Sequence, residues 1–161
     1  MEPLLLRGAF GSFPTGVAAL AAVLNGRPQG IAVSSFTTVS LEPALVLVCV
    51  ARSSNTWPSL SKAPRLGVSV LAADQEQACG QLSAGDGEGF GDLDWRTTDN
   101  GAVLLEGASA WFECSLEQLA PAGDHDIVVL RVHDLDGDHA VSPLVFHGGR
   151  FRRLHPDPYT A

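Results

Sequence analysis

The order of apolar and polar residues along the chain is typical of short β-strands separated by turns. Asn25 and Gly26 stand between two apolar runs, and such a pair favours a tight β-hairpin. Two short segments, 56–62 and 74–82, have helical character. Strand-like runs cover residues 16–24, 29–34, 44–51, 65–71, 103–106, 108–120, 126–135 and 143–154. The pattern predicts a mainly β protein, an antiparallel barrel or sandwich with a few short helices.

Length and composition favour one domain with its own core. The chain has 161 residues, of which 45% are hydrophobic, and it contains no internal repeat. We expect a single domain over residues 1–161, with the barrel at about 10–154 and a loose C-terminal tail at 155–161. A glycine- and acid-rich loop is expected at residues 83–93.

Charge and cysteine usage argue against several classes of protein. The formal charge of -8 is opposite to the basic face that nucleic-acid binders normally carry. The three cysteines are dispersed and lack metal-ligand spacing, which favours reduced thiols. The longest apolar run, residues 44–51, is far shorter than the ~20 residues of a membrane helix, and the N-terminus lacks a signal-peptide pattern. We expect a cytoplasmic protein that binds neither nucleic acid nor membrane.

Two hydroxyl-rich segments flank the apolar run at residues 44–51. SSFTTVS, residues 34–40, surrounds Phe36 with Ser and Thr side chains, and RSSNTWP begins at Arg52. Hydroxyls, and the unpaired N–H groups where a helix begins, offer hydrogen-bond donors to a phosphate or carboxylate. Side by side, the two segments would line a polar groove that suits a flat heteroaromatic ring. Each segment also has an ordinary structural interpretation, the first as an edge strand and the second as a helix N-cap.

The histidines offer a candidate for catalysis but none for metal binding. His125 lies in a turn between Asp124 and Asp126, whose carboxylates would orient the imidazole. It is either a catalytic or cofactor contact or an ordinary turn residue, and His147 is equally open. No pair of histidines has metal-ligand spacing, so we predict no metal site. The sequence also lacks a GxSxG nucleophile turn, a P-loop, and a GxGxxG between a strand and a helix.

Seven segments occur in a characteristic order along the chain. They are 13-FPTGV-17, 30-GIAVSSFTTVSLEPALVLVCVARSSNTWPSL-60, 67-GVSVLAADQE-76, 94-DW-95, 111-WFEC-114, 123-GDHDIVVLRV-132 and 143-PLVFHGGRF-151. Together they resemble the flavin reductase-like, FMN-binding split-barrel family. The resemblance spans nearly the whole chain, from about residue 10 to residue 154.

The resemblance implies a homodimeric, antiparallel Greek-key split β-barrel that binds FMN or FAD in a groove near the subunit interface. It implies a reductase that takes a hydride from NADH or NADPH and releases reduced flavin to a partner monooxygenase. His125 would be the catalytic residue, on the nicotinamide side. The implied cofactor-binding residues are Val33, Ser34, Ser35, Phe36 and Thr37 for the ring, Ala51, Arg52, Ser53, Ser54 and Thr56 for the ribityl chain and phosphate, and Phe90, His147, Arg150 and Phe151.

This reaction is compatible with a site that has no charged catalytic cluster. A hydride passes directly from nicotinamide C4 to flavin N5, so the protein supplies stacking geometry and hydrogen-bond donors rather than an acid or base.

One departure from the family leaves a second hypothesis open. Many relatives have a basic residue before a phenylalanine, where this chain has 87-GEGFGD-92, with Glu88 and Gly89 before Phe90. The second hypothesis is a split barrel of small-molecule biosynthesis, flavin-binding or flavin-independent, that does not oxidise NAD(P)H.

Overall fold

The structure, a computed structural model, describes residues 2–84 and 89–155. Its helices are α1 (Pro3–Phe10), α2 (Trp57–Leu60) and α3 (Glu76–Ser83). Its strands are β1 (Thr15–Gly16), β2 (Ala18–Leu24), β3 (Arg27–Val33), β4 (Thr37–Leu41), β5 (Ala44–Ala51), β6 (Leu66–Val70), β7 (Trp95–Thr97), β8 (Val103–Leu105), β9 (Ala110–Ala122), β10 (His125–Gly137), β11 (Val145–His147) and β12 (Arg150–Arg152). The prediction of a mainly β protein with a few short helices is confirmed.

The predicted β-hairpin at Asn25 and Gly26 is present between β2 and β3. The two residues have φ angles of 53° and 74°, and Leu24 pairs with Arg27 across the turn. Positive φ at both central positions defines the turn that matches the twist of the flanking strands, and Asn and Gly adopt it at little cost.

Seven strands form one antiparallel sheet in the order β3-β2-β6-β9-β10-β5-β4. A flat sheet of this size would separate its edge strands by about 29 Å. Edge strands β3 and β4 are nevertheless joined by residues 34–36 alone, which span at most about 14 Å. The sheet is therefore curled, and its two edges approach each other at this connection.

Apolar side chains cover both faces of the curled sheet. On β2, Leu20 packs into one cluster with Val48, Val68 and Val128. The intervening Ala19 and Ala21 belong to a second cluster with α3, Val103 and Leu144. Alternate residues of a strand point to opposite faces, so β2 carries core side chains on both of its faces.

One carboxylate is buried between the central strands. Glu113 on β9 is 6% exposed; its Oε1 accepts a 2.8 Å hydrogen bond from Asn100 Nδ2 and lies 3.3 Å from Arg65 Nε. Burial acts to raise the pKa of Glu113, but hydrogen bonds from Thr98 and Asn100 and the charge of Arg65 outweigh it and hold the pKa below its usual value. This residue therefore stays ionised inside the fold.

The structure settles one interpretation that the sequence left open and divides one expected strand in two. Residues 37–41 form the edge strand β4, one of the two interpretations left open for SSFTTVS. Residues 143–154, expected as one strand, contain the hairpin of β11 and β12, which turns at Gly148 and Gly149 with φ angles of 61° and 73°. The described part of the expected tail is residue 155; residues 156–161 lie outside the described residues.

Among residues 2–84 and 89–155, no helix has the length and apolar character needed to cross a membrane.

Candidate functional site

A groove lies where the end of β3 approaches the end of β5 and the start of β10. Its cavity has a volume of about 470 Å³, inside the range of roughly 300–1,000 Å³ typical of small-molecule sites. Of the predicted site residues, it is lined by Val33, Ser34, Ser35, Ala51, Ser53, Ser54, Thr56 and His125. The groove thus brings together both hydroxyl-rich segments and the candidate catalytic histidine.

The groove is polar without being strongly charged. In the part of the chain that the structure describes, its lining contains no Lys, Arg, Asp or Glu side chain. Its hydroxyls and backbone groups surround apolar surface from Ile31, Val33 and Ala51. Such a lining suits an aromatic ring flanked by hydrogen-bonding groups better than it suits a free ion.

The segment that follows β5 is fixed by backbone hydrogen bonds. The N–H of Arg52 donates to the C=O of Asp124 at 2.9 Å, and the N–H of Ser54 donates to the C=O of Ala51 at 2.9 Å. The Ser54 hydroxyl accepts the N–H of Trp57 at 3.2 Å and so satisfies the start of α2. Thr56, at the N-cap position, makes no side-chain capping bond and lines the groove instead.

His125 enters the groove from the first position of β10. It pairs with Ala51 of β5 and Ala122 of β9, so the sheet register fixes where the ring lies. Its Nδ1 is 2.8 Å from Oδ1 of Asp124, a contact that also lowers the pKa of Asp124. With Nδ1 turned to a carboxylate, the other ring nitrogen is left for a ligand.

A second, more apolar cavity adjoins the groove. It has a volume of about 370 Å³ and shares Ala32, Val33, Ser34 and Ser83 with the groove. Phe146 and Phe151, whose rings meet edge to face at 5.5 Å, form part of its wall. Of the predicted contacts His147, Arg150 and Phe151, Phe151 is therefore the residue that reaches this region.

Four predicted cofactor contacts lie outside the groove lining. Phe36 stacks on Phe112 with ring centroids 5.5 Å apart and packs against the core. Phe90 is 6% exposed inside the second apolar cluster. His147 and Arg150 lie opposite each other on the β11–β12 hairpin, and neither lines the groove or the apolar cavity.

Two more predicted contacts, Thr37 and Arg52, also do not line the groove. Thr37 is exposed on the edge strand β4. The Nε of Arg52 lies 3.3 Å from Oδ1 of Asp126, and Arg52 is also absent from the groove lining. The loop departure at residues 87–92 is only partly visible, because Gly87 and Glu88 lie outside the described residues.

Other lining residues were not predicted from the sequence. Cys49 belongs to the apolar run of β5, and Leu82, Ser83 and Ala84 lie at the C-terminal end of α3. The sequence signal available for these three residues was the expected end of a helix near residue 82, which does not reveal what that helix end packs against.

Comparison with known proteins places the chain in a family. Residues 10–155 match the family described as the flavin reductase like domain. The chain is 41% identical over 151 residues to the FMN reductase (NADH) SmoA of Agrobacterium fabrum, covering 92% of this chain and 84% of that protein. It is 34% identical over 157 residues to the flavin-dependent monooxygenase reductase subunit HsaB of Rhodococcus jostii, covering 98% and 80%.

A solved structure agrees with these sequence relatives. The NADH:FAD oxidoreductase of Streptomyces globisporus in complex with NAD and FAD fragments superposes with a TM-score of 0.92 at 38% identity, covering 98% of this chain and 95% of that chain. The chain belongs to the flavin reductase-like family, and the family predicted from the sequence is confirmed.

Proposed function

We propose that this chain is an NAD(P)H-dependent flavin reductase that works in the groove between β3, β5 and β10. The observation that carries the proposal is the convergence of residues 33–35, Ala51, residues 53–56 and His125 around one cavity of about 470 Å³. The enzyme class and both substrates agree with the relatives, which include an FMN reductase that uses NADH and an NADH:FAD oxidoreductase.

The flavin, FMN or FAD, supplies the redox chemistry by accepting a hydride from NADH or NADPH. The protein's part is to bind and orient. Val33, Ser34 and Ser35 offer an apolar wall and backbone donors to the ring, while Ser53, Ser54 and Thr56 offer donors to the ribityl chain and phosphate. His125 would act on the nicotinamide side, with its ring oriented by Asp124.

The remaining predicted contacts have weaker support from the geometry. Phe151 is supported as a contact because it lines the adjoining apolar cavity. That cavity suits a second flat ring beside the flavin ring. Arg52 faces Asp126 rather than the groove. The geometry gives no further support to a direct flavin contact by Phe36, Thr37, Phe90, His147 or Arg150. Their assignment as flavin contacts stays a prediction.

We further propose that the protein is a homodimer and that its curled sheet is a Greek-key split barrel. Two apolar surfaces of the single chain support the homodimer. Helix α1 buries none of its residues and exposes Leu4, Leu5 and Phe10. Edge strand β4 exposes Leu41 beside an apolar cavity of about 280 Å³. Apolar surface of this extent on a small protein commonly marks a protein–protein interface.

The recipient of the reduced flavin is a separate flavin-dependent monooxygenase in this proposal. The reductase subunit HsaB, named above, carries that role in its description. The single-domain organisation over residues 1–161 and the cytoplasmic location stay predictions.

The experiment is NADH and NADPH oxidation with FMN or FAD added to the purified protein. We expect nicotinamide oxidation that depends on both the protein and a flavin, and a higher KM for the nicotinamide in His125→Ala. Absence of oxidation in all four combinations contradicts the proposed function. Flavin binding without oxidation would favour the flavin-binding biosynthetic alternative.

A further inference from the structure

Ser35 differs from the other groove serines because its hydroxyl is already used inside the protein. Its Oγ accepts the N–H of Cys49 at 2.8 Å and donates to the C=O of Cys49 at 3.0 Å. A serine hydroxyl has one proton to donate. Ser35 therefore has no side-chain proton left for a ligand, although the residue lines the groove.

The position of this contact in the sheet indicates its purpose. Strands β4 and β5 pair with Thr37 opposite Leu47, and the same register continued by two residues places Ser35 opposite Cys49. In a regular antiparallel pair, the backbone of Ser35 would exchange both hydrogen bonds with Cys49. Here the side chain makes both bonds, which holds residues 34–36 away from β5 by the length of a side chain.

The backbone of residues 34–36 is consequently left open. Across the described ranges, the N–H groups of Ser34, Ser35 and Phe36 donate to no other group of the protein. Backbone N–H groups that leave water on ligand binding need an acceptor, because an unpaired buried donor is costly. The groove beside Ser34 and Ser35 is where such an acceptor would lie.

We propose that Ser35 is a positioning residue: its hydroxyl keeps residues 34–36 off β5, so that their backbone N–H groups face the carbonyl and imide acceptors of a bound flavin ring. This inference rests on the proposed flavin reductase function and deepens it. The ring would then be held by backbone donors, and the Ser35 side chain would act through the backbone without touching the flavin.

The test is the affinity of Ser35→Ala for FMN, measured by quenching of flavin fluorescence. Without the hydroxyl, the segment closes onto β5 and pairs its own backbone with Cys49. We expect Kd for FMN to rise about tenfold while the rate at saturating flavin falls by less than about threefold. Ser35→Thr keeps the hydroxyl and restores most of the affinity.

Ser69→Ala is the matched control. The Ser69 hydroxyl accepts the N–H of Leu105 at 3.0 Å within the core, so this variant removes the same kind of bond away from the groove. We expect a lower Tm and a Kd for FMN within about twofold of the wild type. If Ser35→Ala lowers the Tm and leaves Kd unchanged, as Ser69→Ala should, Ser35 is only structural and the proposal is wrong.

A second measurement does not depend on the folding of a variant. The backbone amide resonances of Ser34, Ser35 and Phe36 in the wild-type protein should be among those that shift most when FMN is added. If FMN binds and these amides do not shift, the Ser35 proposal fails while the reductase function stands. If the wild-type protein binds no flavin and oxidises no NAD(P)H, the proposed function itself fails.

Discussion

The groove and the cluster around Glu113 are two polar regions of the same sheet. They differ in whether their polar groups already have partners inside the protein. Glu113 is 6% exposed, and its carboxylate accepts a hydrogen bond from Asn100 and forms an ion pair with Arg65. In the groove, Thr56 and the segment of Ser34 and Ser35 line an open cavity instead. Polar groups that the fold satisfies stabilise it, and polar groups that it leaves open are available to a ligand. The two regions should therefore respond to substitution in opposite ways.

The largest expected effect is on stability, from Glu113→Ala. The change leaves Arg65 without its ion-pair partner and Asn100 without its hydrogen-bond acceptor, and it opens a polar cavity between strands. We expect the free energy of unfolding to fall by about 2 kcal/mol, a value below that of a fully buried pair because Arg65 is partly exposed. Denaturant titration measures it. The Kd for FMN of the folded variant should match the wild type; a clear loss of flavin affinity would show that the two regions are coupled.

The same carboxylate predicts a pH dependence of stability. The pKa of Glu113 is lower in the folded protein than its usual value, so at acid pH the unfolded chain takes up the proton first. The stabilising contribution of the Glu113 carboxylate is therefore complete above the usual glutamate pKa of about 4.3. It is lost as the pH falls through the lower pKa that Glu113 has in the folded protein. The free energy of unfolding, measured by denaturant titration from neutral to acid pH, should change less with pH in Glu113→Gln than in the wild type. Identical pH slopes would show that Glu113 is not the cause.

In the groove, Thr56→Ala should weaken the binding of FMN more than it changes stability. Removing the Thr56 hydroxyl, which we propose to contact the phosphate, is expected to raise Kd for FMN about tenfold and to leave Kd for riboflavin within about twofold. Ser59→Ala, at an exposed position of the same short helix, is the matched control and should bind FMN as the wild type does. Equal losses for FMN and riboflavin would place Thr56 away from the phosphate.

The smallest effect is expected from Arg52→Gln. Because Arg52 is 3.3 Å from Asp126 and does not line the groove, its loss should raise Kd for FMN by less than about threefold. Flavin fluorescence titration at low and high salt measures this. A rise of about tenfold at low salt that salt abolishes would mean that Arg52 leaves Asp126 to reach the phosphate, as the family resemblance implies.

The sequence predicted those elements whose structure depends on a few neighbouring residues. The Asn25–Gly26 hairpin is an example, because the turn geometry depends on those two residues. Edge strand β4 was ambiguous because Thr and Ser side chains suit both an edge strand and the lining of a polar groove, and the sequence does not show its pairing with β5. The 143–154 segment was expected to be one strand because its apolar residues outweighed Gly148 and Gly149 as a turn signal.

The site depends more on distant contacts than the strands do. Residues 33–35 and His125 meet because the sheet curls, and no local pattern specifies that curl; the family resemblance was what brought them together. The same resemblance gave no information on side-chain direction, so it could not indicate that Phe90 is buried or that Arg52 turns to Asp126. The end of α3 was missed because its place beside β3 is likewise a tertiary contact.

We expect the groove, and not the region around Glu113, to bind the flavin. A crystal structure of the protein with FMN bound would test this. We expect the ring against Val33, Ser34 and Ser35 and the phosphate against Ser53 and Thr56. FMN bound elsewhere, with this groove filled only by solvent, would contradict the account.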